Sequence, residues 1–101
     1  MKLLLAMDRD DTQEGLLVPI AEAAVWAILD IEAGEVSEVL FFSDKEAAMQ
    51  TWPEAVIVIG DYEPFMEFLE QQMMVLVAPM QRSIDDIVEA YLFKELHEPA
   101  F

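Results

Sequence analysis

Four aspartates are the residues best placed by type to do chemistry: Asp8, Asp10 and Asp11 follow the first apolar run, and Asp61 follows Gly60 at the end of a second one. In an open α/β sheet, ligands bind beyond the carboxyl ends of strands where the strand order reverses, so these acids are expected to converge if the two runs are neighbouring strands. Oxygen-only donors suit Mg²⁺ or Ca²⁺ better than zinc or iron, and a divalent-metal phosphoesterase is the enzyme class that such a cluster would serve. The same aspartates have an ordinary alternative role, because Asp caps turns and hydrates loops where strands end. His97 is the single imidazole. It follows the last apolar residue of a C-terminal helix, where a solvated histidine complements the helix dipole, and no Ser-His-Asp arrangement can be drawn around it.

Other chemistry is excluded by composition. With no Cys among 101 residues there is no disulfide, thiolate nucleophile, zinc ribbon or Cys-ligated cluster. The 21 acids against 5 bases give a net charge of -16, which repels polyanions, so nucleic acid and anionic membrane are poor partners. The same charge opposes self-association unless an apolar face compensates, and a homodimer would be salt-sensitive. Apolar residues make up 55% of the chain, enough for one core, and the length suits one domain over 1–101. The run Lys2 to Met7 is too short for a signal peptide or a membrane span, which leaves a cytoplasmic location as the expectation.

The elements that must position these residues follow from the hydrophobic pattern. Leu3 to Met7, Ala55 to Ile59 and Met74 to Ala78 are continuous apolar runs, expected as strands buried on both faces. Trp26 to Ile31 and Val36 to Phe42 flank Glu32-Ala33-Gly34-Glu35 and read as an antiparallel hairpin. Ser43 with Glu46 spells a capping box for a short helix, and Asp61 with Pro64 in the first turn opens a second that carries Phe65, Phe68 and Leu69. Ser83 with Asp86 opens a third, with Ile84, Ile87, Val88, Tyr91 and Leu92 on one face. Right-handed crossovers then give a three-layer α/β/α fold, a ribonuclease H-like mixed five-stranded sheet of order 3-2-1-4-5 with strand 2 antiparallel. The tail beyond Leu96 is expected to fray.

The spelling of these elements resembles the dinitrogenase iron-molybdenum cofactor biosynthesis (NifX-like) family. The hairpin Ile28-Leu29-Asp30-Ile31-Glu32-Ala33-Gly34-Glu35-Val36, the strand Ala55-Val56-Ile57-Val58-Ile59-Gly60 followed by Glu63-Pro64, the strand Met74 to Ala78 and the helix Ser83 to Leu92 carry the likeness over nearly the whole chain. The resemblance implies a non-enzymatic accessory or carrier domain that handles an iron-molybdenum cofactor or iron-sulfur cluster, with cluster-assembly or nitrogenase-related proteins as partners. By fold position, Asp8, Pro19, Ile20, Gly60 and Asp61 are its candidate cofactor-contacting residues, and Asp8, Asp10 and Asp61 its candidate metal ligands. One departure is plain. Where the family carries a Ser-Pro-His-Phe-Gly-Arg-like segment, this chain reads Leu17-Val18-Pro19-Ile20-Ala21-Glu22, so Pro19 stands at the imidazole position and Glu22 at that of the guanidinium.

Leu16 to Trp26 is almost wholly apolar, and it is expected either as a short buried helix from Pro19 or as an apolar patch that binds another protein. Met66, Met73, Met74 and Met80 could form a soft-metal or adaptable binding surface, but their spacing is that of packing residues, most clearly at Met73 and Met74 and less so at Met80, which follows Pro79 in a loop; Trp26 and Trp52 read as core or rim aromatics, with partner contact the alternative for Trp52 beside Pro53. A protein-interaction module using an acidic or apolar surface is therefore the alternative function.

Overall fold

The computed structural model describes residues 1–99. Strands form at Lys2–Met7 (β1), Val25–Glu32 (β2), Glu35–Phe42 (β3), Ala55–Val58 (β4) and Met74–Val77 (β5), and helices at Lys45–Met49 (α1), Met66–Glu70 (α2) and Ile84–Leu92 (α3). The sheet runs β3-β2-β1-β4-β5, with β2 antiparallel to both neighbours and β1, β4 and β5 parallel, as the pattern predicts.

Alternation along β1 explains why one sheet has two cores. Leu3, Leu5 and Met7 face one way with Ala27, Leu29, Ala55 and Ile57, and Ile84 and Ile87 of α3 cover them. Leu4 and Ala6 face the other way with Trp26, Ile28, Val56 and Val58, beneath Ala48 of α1 and Phe65 and Phe68 around α2. The register stacks Leu4 beside Ile28 on one side and Val56 on the other, and a slip of one residue would exchange the two cores. Phe68 is fully buried, which stabilises the fold by about 1.5–3 kcal/mol.

The β2–β3 connection is a two-residue turn in which Ala33 (φ 53) and Gly34 (φ 80) both occupy the left-handed region. That geometry matches the twist of the flanking strands and is the usual hairpin solution. Helix α3 begins as predicted, with Ser83 Oγ accepting from the Asp86 N–H at 3.1 Å.

Several local expectations are corrected. Asp44, not Ser43, caps α1, because its extended backbone lets its side chain accept from the Glu46 N–H. Asp61 does not cap α2. That helix starts two residues beyond Pro64 without a side-chain cap, because residues 59–65 are held in an irregular turn. Met74 and Leu92 are exposed, Met74 on the edge strand β5 and Leu92 at the last position of α3. Just after Leu96, His97 pairs with the free edge of β5, where the Val77 N–H donates to His97 O at 2.6 Å and the His97 N–H returns a bond at 3.3 Å; residues 100 and 101 of the tail expected to fray lie outside the described residues. Edge pairing satisfies backbone groups that fraying would leave to water. Among the described residues, no helix is long and apolar enough to cross a membrane.

Candidate functional site

Strand β1 has an antiparallel neighbour on one side and a parallel one on the other, so the order reverses beside it. The loops beyond the carboxyl ends of β1 and β4, residues 8–24 and 59–65, meet at this switch point.

The first loop is tied by its own acids. Asp8 Oδ1 accepts from the Leu16 N–H at 2.8 Å while the Asp8 N–H donates to Leu16 O at 3.0 Å, and Asp8 Oδ2 lies 3.4 Å from the Arg9 guanidinium. Asp11 Oδ1 accepts from the Gln13 and Glu14 N–H groups at 2.8 and 3.0 Å. These amides, Glu14 first, hold the Asp11 carboxyl below its ordinary value, with a smaller contribution from Arg9. Gly15 closes the turn: a Cβ there would stand 2.5 Å from Asp11 O. Asp10 is exposed on the same loop, and Asp61 is exposed in the turn after β4. Among the described residues, no three carboxylates or imidazoles come together in a way that could hold a metal ion.

After Leu17, which is buried and donates its N–H to Arg82 O at 2.7 Å, the chain passes Pro19 into a single 3-10 turn at Ile20–Glu22. The short helix from Pro19 is present, but none of its residues is buried. Val18, Ile20 and Ala23 pack at the rim of the α1/α2 core, and only Leu17 and Trp26 at the two ends of the segment are fully inside.

What fixes this turn is Glu63, the single buried charged residue among the described residues, at 5% exposure. Its Oε1 accepts from the Ile20 N–H at 2.6 Å and its Oε2 from the Ile59 N–H at 2.7 Å. One carboxylate thus clamps the loop after β1 to the end of β4. The Ile20 and Ile59 amides, which a ligand at the switch point would otherwise meet, are thus satisfied from within the chain. Beside it, the ring of the exposed Tyr62 lies across Gly60, where a Cβ would meet its Cε1 and Cδ1.

Glu63 was legible in the sequence only as a neighbour of Pro64. The available signal was one of two acids, with Asp61, between an apolar strand and an apolar helix, and nothing in the spacing pointed to its distant partner Ile20.

The residues present do not fit an iron-sulfur or iron-molybdenum cluster. Pro19 has no donor, Ala21 and Ile20 offer none from their side chains, and Glu22 would repel an anionic cluster. His97, the lone imidazole, stands on the outer edge of β5 with Nδ1 2.9 Å from Glu98 O. Met73 is buried, whereas Met66 and Met80 are exposed on separate loops and helices.

No protein-family profile matches the chain, and no curated protein does. Solved structures do match. The crystal structure of a candidate dinitrogenase from Methanocaldococcus jannaschii superposes with a TM-score of 0.77 at 18% identity, covering 99% of this chain and 95% of that one. An NMR structure of the same archaeal protein gives 0.79 at 19% identity over 100% and 94%. The NMR structure of a candidate NifB protein from Thermotoga, assigned to the DUF35 family, gives 0.77 at 14% identity over 99% and 95%. These neighbours are of the kind that the resemblance in sequence anticipates, and the chain carries their fold from end to end.

Proposed function

We propose that the chain is a non-enzymatic accessory domain of metal-cofactor biosynthesis whose own switch-point loop is closed to clusters, so that it acts by surface contact. The theme is supported by the neighbours described as a candidate dinitrogenase and a candidate NifB protein. The closed loop rests on one observation, the two oxygens of buried Glu63 bonded to the Ile20 and Ile59 amides. An incoming cluster would have to displace a carboxylate that has no other partner in the interior, and no soft donor stands ready to compensate.

The test is to mix the purified protein with isolated iron-molybdenum cofactor, and separately with a synthetic iron-sulfur cluster, and follow visible absorbance through gel filtration under anaerobic conditions. The expected result is no coloured protein peak. Stoichiometric co-elution would overturn the closed-loop reading and restore a carrier.

A further inference from the structure

Residues of α1 and α2, with those of the turns that lead into β4 and β5, line a groove of about 400 Å³. Its floor is apolar, from Met49, Pro53 and Met73, and its rim carries Glu46, Glu67 and Glu70 against a single Lys45. Lys45 is already engaged, with Nζ 2.8 Å from both oxygens of Glu67 and 5.9 Å from the Phe68 ring centre. Glu46 and Glu70 therefore leave the mouth of the groove with an uncompensated negative charge, on a chain of net charge -16.

Trp52 stands at this mouth. Its side chain is 82% exposed, while the other tryptophan, Trp26, is 7% exposed. Its backbone is held at φ 61, a conformation that bulky residues rarely adopt, by the turn that ends α1, in which its N–H donates to Met49 O at 3.1 Å. Pro53, which follows, is buried and anchors that turn. The fold thus tolerates backbone strain in order to present a large aromatic face to solvent beside two unpaired carboxylates. An indole face flanked by carboxylates is the chemistry that takes up a guanidinium or ammonium group, by cation–π attraction and charge together.

We propose that this groove docks a basic segment of a partner protein, an arginine or lysine side chain lying on Trp52 between Glu46 and Glu70, with an adjacent apolar side chain on Met49 and Met73. The inference rests on the accessory-domain reading only in naming a protein as the occupant. A cluster bound at the switch point would overturn that reading and leave the groove test unaffected.

The probe is a capped hexapeptide alternating leucine and arginine, compared with the same peptide carrying citrulline in place of arginine, by calorimetry and by tryptophan emission. Saturable binding of the arginine peptide alone, with a shift in emission, is expected. Trp52→Ala should weaken binding at least about fivefold. Glu46→Gln with Glu70→Gln should weaken it about five- to tenfold. Because a chain this acidic attracts cations everywhere, Asp85→Asn with Glu95→Gln removes the same charge from exposed positions on α3 and just beyond its end and should leave the affinity unchanged. Circular dichroism of each variant confirms that it is folded, which is expected because all five side chains are exposed. Binding that falls equally in both charge-removed pairs, that survives Trp52→Ala, or that is matched by the citrulline peptide overturns the proposal.

Discussion

Glu63→Gln is the substitution that probes the switch point most directly. The carboxylate is 5% exposed and each of its oxygens accepts one backbone N–H, at 2.6 and 2.7 Å. Glutamine keeps the shape, but it offers one acceptor and one NH₂ donor. Whichever way the amide turns, one of the Ile20 and Ile59 amides then faces another donor at under 3 Å and must move away or lose its bond. Neutralising the side chain also removes the cost of holding a charge out of water, which acts in the opposite direction. The unmet N–H prevails because the site provides no second acceptor, and the net loss is about 2–3 kcal/mol. For a domain of this size that corresponds to a fall in melting temperature of roughly 10–20 °C. The assay is thermal unfolding followed by circular dichroism, paired with amide hydrogen exchange. Protection at Ile20 and Ile59 should fall by more than at Leu4 or Ile28, which lie in the sheet centre and report global opening alone. A melting temperature within about 3 °C of the parent, or Ile20 protection that falls only in step with Leu4, would refute the clamp.

Three further outcomes follow from other parts of the chain. Ala33→Asn places a residue tolerant of the left-handed region before Gly34 and should raise stability by about 0.5–1 kcal/mol, read as an increase in melting temperature. The Asp11 carboxyl should titrate below its usual 3.8 when followed by NMR, with the Gln13 and Glu14 amide shifts moving alongside it. Because its folded value is depressed, its contribution to loop order is complete above the unfolded value and is lost as pH falls through the folded one, so the 8–16 loop loosens only below about 3.8. Added MgCl₂ at millimolar concentration should leave the melting temperature unchanged, while a saturable rise would revive the divalent-cation reading of Asp8, Asp10 and Asp61.

The sheet order and the two-faced burial of β1 and β4 could be read from the chain because both are periodic: continuous apolar runs demand cover on both sides, and crossovers have one favoured hand. The helix caps were partly legible. Ser83 behaved as its spacing implies, whereas Ser43 yielded to Asp44, because capping depends on which of two adjacent residues takes the extended backbone and periodicity does not report that. Trp52 illustrates the same limit. Its neighbour Pro53 marked a turn, but the left-handed backbone that leaves the ring exposed arises from how α1 ends against the sheet.

By itself, the order of residues determined the architecture, the acidity and the lack of thiolate and imidazole donors between residues 16 and 26. Local spacing and composition are enough for these, since each depends on neighbours a few positions apart. Only the tertiary structure decided that Glu63 meets Ile20 across 43 positions, that His97 pairs with the edge of β5, and that a tryptophan and two free carboxylates share one groove. Such meetings are set by packing between elements distant in sequence, and no periodicity records them.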